Sequence, residues 1–178
     1  MYDKTSIKYF MKKGLKIIVV LFLPLFLNAK DDNLIKIRQL YYKASANRAD
    51  AETFFKVIHA TSIIDPSLTS AYKGMSYMIK ANFDFNPYYK LSYFVKGKDL
   101  LDGAIDGDPK NIELRFLRFC VQTNAPGFLG YGGKITEDKI VIKKYFASLD
   151  DTDLKKRIQE YMLNSKSCSK EEKLIFKE

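Results

Sequence analysis

The chain contains no tryptophan, a single histidine and only two cysteines. One histidine, His59, cannot build a zinc centre alone, and its surroundings "VIHATS" offer no further ligand at matched spacing. A nucleophilic triad would also have to pass through His59, and no nucleophile elbow accompanies it. Cys120 and Cys168 do not form a CxxC pair, so a dithiol redox centre is absent; spacing alone leaves open whether the two pair with each other. Period-two alternation is missing over any useful length, which argues against strands. A long apolar run is missing too. The clearest one, Ile17 to Leu27, is 11 residues, whereas a spanning helix needs about 20.

That short run has a context. Lys12, Lys13 and Lys16 precede it, and the small residue Ala29 follows in "MKKGLKIIVVLFLPLFLNAK". This is the layout of a secretory signal peptide. We therefore expect residues 1–29 to be a signal region with Met11 as the start, cleavage after Ala29, and a periplasmic or secreted mature chain without a membrane span. The formal charge of +9 falls when that region is set aside, leaving 25 basic against 20 acidic residues. The basic side chains of the last helices (Lys139, Lys143, Lys144, Lys155, Lys156 and Arg157) are interspersed with acids, so a solvated face is expected there and no nucleic-acid partner.

Beyond residue 29 the pattern is helical. Leu34, Ile37, Tyr41 and Ala44 share a face behind an Asp31 or Asp32 cap, and Phe54, Val57, Ile58 and Thr61 share one behind Asp50. Tyr72, Met75 and Ile79 are spaced for a third helix. A fourth opens with Asn86 as cap and Pro87 at its first position, its apolar face running through Tyr88, Leu91, Val95, Leu101 and Ile105. A fifth, "NIELRFLRFCVQ", leads into a glycine-rich loop. Thr136 caps a sixth, with Ile135 and Ile140 placed as a staple, and Leu154, Ile158 and Tyr161 mark a seventh. Residues 30–163 thus form one helical domain. Residues 164–178 form a polar tail, in which Ser169 and Glu172 give the capping-box pattern of a short helix.

Two Asp-Pro steps, "IIDPSLTSAY" and "DGDPKNIELRF", stand 43 positions apart at Asp65 and Asp108. Gly97, Leu101 and Ala104 precede the second in a small–large–small order, and Tyr72, Met75, Ser76 and Ile79 follow the first. The pattern resembles a degenerate tetratricopeptide repeat over about one and a half units, with Arg38 and Tyr42 departing from it in the preceding hairpin. It implies an all-α fold of antiparallel hairpins stacked as a short tetratricopeptide-like solenoid or bundle. The segment "LRFLRFCVQTNAPGFLGY" also resembles a family of uncharacterised secreted all-α proteins from Bacteroidota. That resemblance implies the same compartment and architecture, and no activity.

The loop "RFCVQTNAPGFLGYGGKIT" holds four of the nine glycines. A phosphate-binding P-loop would need glycine at Phe128 and a hydroxyl residue at Ile135, after a strand. The glycines are therefore read as backbone turns. Asn124 can tolerate the left-handed conformation at the helix end and Pro126 blocks continuation; at least one of Gly127, Gly130, Gly132 and Gly133 is expected at positive φ, with Phe128, Leu129 and Tyr131 as plugs. Arg115 and Arg118 lie three apart beside Gln122, a strip suited to an anion. We take Arg115, Arg118, Gln122, Asn124, Phe128 and Tyr131 as candidate ligand or partner contacts, with no catalytic residue, metal or cofactor. The expected role is binding or scaffolding of a protein partner on the concave face of the stack. The alternative is a small-ligand carrier or enzyme with a pocket beside residues 124–135, for which Gln122, Asn124 and Tyr131 should converge on one cavity.

Overall fold

A computed structural model of the chain describes residues 34–61 and 65–177. The expected signal region and the Asp31 or Asp32 cap lie outside these residues. The chain divides into two units, Met1–Gln39 and Leu40–Glu178. Of the first, residues 34–39 are described; they are helical, with Ile37 and Arg38 buried. Their helix, α1 (34–44), runs on into the second unit, to which everything below refers.

The described residues are all-α. After α1 come α2 (Arg48–Ala60), α3 (Pro66–Phe83), α4 (Pro87–Gly107), α5 (Ile112–Asn124), α6 (Ile135–Phe146), α7 (Thr152–Asn164) and the short α8 (Lys170–Leu174). Side-chain oxygens take up the first free N–H groups at most starts: Asp65 at α3, Asn86 at α4, Asn111 at α5 and Asp151 at α7. At α2 this acceptor is Asn47, and Asp50 falls inside the first turn, where the helix dipole favours an acid. The Ser169–Glu172 capping box is present at α8. Neighbours in sequence pack together, α2 on α3, α3 on α4 and α5 on α6.

The α3–α4 contact is the tightest. A Cβ built on Gly97 would stand 2.6 Å from the Gly74 carbonyl oxygen and 2.6 Å from Met78 Cγ, so the two backbones touch with no side chain between them. Farther along, Ile112, Phe116 and Phe119 of α5 form a core with Ile142, Phe146, Leu154, Ile158 and Met162. Phe176 closes it, its ring centroid 4.8 Å from that of Phe146, and Cys168 is buried there. The polar tail is thereby tied down. Both cysteines are free thiols.

The structure departs from several expected faces. In α4 the buried residues are Gly97, Leu101, Ala104 and Ile105, all in its second half, while Tyr88, Leu91 and Val95 are exposed. The face that packs on α3 carries Gly97, Leu101 and Ala104, while Tyr88 and Val95 lie on the far side of the helix and Leu91 lines an open cavity. Helix α6 starts at Ile135, because the 3₁₀ turn Tyr131–Lys134 runs directly into it. Thr136 is therefore inside the helix, and Ile140 is exposed and staples nothing. Of the described non-glycine residues none has positive φ, Asn124 included. Extended Ala125 ends α5, as the residue before Pro126 must leave the helical region.

Candidate functional site

Arg115, Arg118 and Gln122 recur at i, i+3 and i+7 of α5 and so share one face. That face meets the first turn of α6, where Asp138 is fully buried. Asp138 accepts from Arg118 Nη2 (2.7 Å) and Nε (2.8 Å), from Arg115 Nη1 (3.1 Å) and from Gln122 Nε2 (2.6 Å). Arg115 also reaches Glu137, and Arg118 reaches Asp102 of α4 at 3.3 Å. Tyr131 joins by donating to Asp102 at 2.9 Å, and Gln122 Oε1 receives the Lys134 N–H at 2.9 Å.

The anion that these arginines meet is thus the chain's own. Burial works against the Arg118 charge, but the bonds it donates to Asp138 and Asp102 outweigh it and hold the guanidinium more basic than usual. Burial, then the neighbouring Asp102, pushes the Tyr131 phenol up. Among the described residues every buried side-chain nitrogen or oxygen has a hydrogen-bond partner. The cluster therefore ties α4, α5, α6 and the glycine loop together with none of its buried atoms unpaired.

Within the loop, two 3₁₀ turns, Gly127–Leu129 and Tyr131–Lys134, are joined by Gly130 at φ 62°. Tyr131 is buried with its ring edge-on to Phe94. Leu129 is half-buried, and Phe128 is 87% exposed. Phe128 plugs nothing. It stands at the rim of a half-open cavity of about 1510 Å³, which Asn124 also lines. Gln122 and Tyr131 face the ionic cluster and do not line the cavity, so the three groups named for a small-ligand pocket do not converge.

The cavity lining has an order. Tyr41, Met78, Cys120 and Glu160 contribute from α1, α3, α5 and α7 in turn, and so do their next neighbours Tyr42, Ile79, Val121 and Tyr161. Three residues after those, Ser45, Asn82, Asn124 and Asn164 line it within one residue of the helix ends. Each set advances by the same steps of 37, 42 and 40 residues. The alternate helices thus present equivalent positions to one concavity.

Its interior is apolar and aromatic, with a polar knot at one wall. Asn124 Nδ2 donates to Tyr161 Oη (2.6 Å) and to the Cys120 carbonyl (2.8 Å), while Thr123 Oγ1 and Tyr161 Oη share a bond of 2.6 Å. Burial pushes the Cys120 thiol up, which keeps it protonated and unreactive at neutral pH. Arg157 lies over the Tyr42 ring at 4.1 Å and pairs with Asp153, so α1 and α7 meet across the cavity. The sequence marks Tyr41 and Tyr161 only as apolar-face positions of their helices, and it does not single out Asn82 and Asn164. Three asparagines closing alternate helices at near-equal spacing were the available signal.

Comparison with protein-family models, with curated proteins and with solved structures finds no match for the chain.

Proposed function

We propose that the protein is a helical binding module that takes a segment of a partner polypeptide into this cavity. One observation carries the reading: four helices turn equivalent positions toward a single half-open concavity, apolar within and hydrogen-bonding at its edge. Its volume of about 1510 Å³ exceeds the roughly 300–1,000 Å³ usual for small-molecule sites. Burying apolar side chains in such a groove while pairing polar groups at its edge is how helical scaffolds bind peptides. The repeating steps support a degenerate tetratricopeptide-like origin. The lysine-rich segment, short apolar run and Ala29 support export to the periplasm or beyond. Among the described residues no helix is long and apolar enough to cross a membrane.

A displayed library of random dodecapeptides, panned on the protein, tests the binding reading. Ala125 lines the cavity with extended backbone, so Ala125→Trp should fill it without disturbing a helix. Selected sequences should bind the native protein and lose at least about tenfold in affinity on the variant, at an unchanged melting temperature. Absence of enrichment, or sequences indifferent to Ala125→Trp, would refute the reading.

A further inference from the structure

We propose that Asn82, Asn124 and Asn164 read the main chain of the bound segment, and that this segment is extended and acidic. The inference rests on the peptide-binding reading above and adds how recognition is done. A primary amide side chain carries one carbonyl and one N–H group side by side, the complement of a peptide group. Asn82 can pair with a backbone amide at two points whatever the neighbouring side chain is, whereas Asn124 spends both N–H groups on Tyr161 Oη and the Cys120 carbonyl and offers its oxygen alone. Three such amides, each at or next to the end of an alternate helix, would hold a strand by its backbone and leave its apolar side chains to the cavity.

The carbonyl oxygens of all three amides are open for this among the described residues. Asn82 is exposed and makes no hydrogen bond to a described residue, although it lines the cavity. Asn124 and Asn164 share a geometry: each turns Nδ2 onto the carbonyl four residues back, Cys120 or Glu160, both at 2.8 Å. That bond orients the side chain, and each Oδ1 accepts nothing from the described residues. These oxygens are oriented acceptors for the N–H groups of an incoming backbone. Ser45, at the corresponding place after α1, spends its hydroxyl on the Tyr42 carbonyl at 2.8 Å.

Charge supplies the second constraint. Lys90 and Lys166 line the cavity, are exposed, and form no ion pair among the described residues. Arg157 is already matched by Asp153 at 3.0 Å, and Glu160 is the one acidic residue among the described residues of the lining. Two unmatched ammonium groups against one carboxylate favour acidic side chains on the occupant.

The test uses a labelled, N-acetylated and C-amidated decapeptide alternating leucine and aspartate, titrated by fluorescence anisotropy. Binding is expected on the native protein. Asn82→Ala should weaken it about three- to tenfold at an unchanged melting temperature, because Asn82 bonds none of the described residues. Changing all three asparagines to alanine should weaken it further, by more than roughly thirtyfold. Methylating alternate peptide nitrogens should abolish binding, and a leucine–lysine counterpart should bind at least about tenfold more weakly. No binding of the leucine–aspartate peptide, or binding indifferent to N-methylation and to Asn82→Ala, would overturn the inference. So would dodecanoate binding more tightly than the peptide, or a dimer that shuts the peptide out in sedimentation. Library peptides that bind and respond to Ala125→Trp would leave the cavity reading standing in each of those cases.

Discussion

At the scale of single residues, Asp138 carries the heaviest demand. It accepts four hydrogen bonds from two buried guanidinium groups and one amide, and is itself fully buried. Replacing a buried ion pair with apolar residues of matching volume can be neutral, whereas removing one partner leaves uncompensated charge. Asp138→Ala should therefore cost about 3–5 kcal/mol in urea unfolding. A loss below about 1 kcal/mol would mean that Glu137 and Asp102 suffice for both arginines. Gly130 is a backbone case. At φ 62° a Cβ is strained even though nothing lies within 4 Å of where it would stand. Gly130→Ala should lower stability by about 1 kcal/mol with helix content retained in circular dichroism.

At the scale of the element, α4 contains two glycines of opposite meaning. Gly97 faces the Gly74 backbone at contact distance, so a methyl there must push α3 and α4 apart. At Gly103 nothing lies within 4 Å of the place a methyl would take, so this glycine loosens the helix without return. Gly97→Ala should destabilise by about 1–3 kcal/mol despite alanine's better helix propensity. Gly103→Ala should stabilise by about 0.5–1 kcal/mol. Thermal melts of the two single variants would show shifts of opposite sign; shifts of the same sign would mean that the α3–α4 contact yields. Ala104 is buried on the same helix, and Ala104→Leu should overpack it at a similar cost to Gly97→Ala.

At the scale of the molecule, acid should act through two carboxylates that hold elements together. Bonds from Arg115, then Lys134, lower Glu137 to about 2. Burial would raise Glu172, but bonds from Lys139, the Ser169 backbone and Lys143 win and hold it at about 2. Both folded values lie below the ordinary 4.5, so the charged forms favour the fold. Their contribution is whole above about pH 4.5 and is lost as pH falls through about 2. Glu137 is 44% exposed, and solvent screening makes its share small. Glu172 joins α8 to α6 and is better shielded. The urea midpoint should fall between pH 4.5 and 2, and Glu172→Gln should flatten that fall. An identical pH curve for the variant would remove Glu172 from the account. Export has its own check: a secreted or periplasmic chain should begin at Lys30 by intact mass.

Residues that act through their own backbone were legible without coordinates. The Asn86 start, the Ser169–Glu172 box and a turn glycine each follow from contacts within a few positions along the chain. Periodicity likewise marked α3 through Tyr72, Met75 and Ile79, all of which are buried. What periodicity measures is that a face is apolar, and it carries no information on whether anything covers that face. In α4, Tyr88 and Val95 lie roughly 80–140° round the helix from Leu101 and Ile105 and are exposed, and Leu91 opens into the cavity, because the face that α3 covers takes in Leu101 and not those three. The candidate site divides for the same reason. Arg115, Arg118 and Gln122 stood out as a strip on one helix, but their partner, Asp138, comes from another helix 16 to 23 positions away. Only packing could decide between a ligand's anion and an internal one. The cavity belongs wholly to tertiary structure: it exists because four helices set equivalent positions side by side, and Asn82, Asn124 and Asn164 become one surface only when those helices stack.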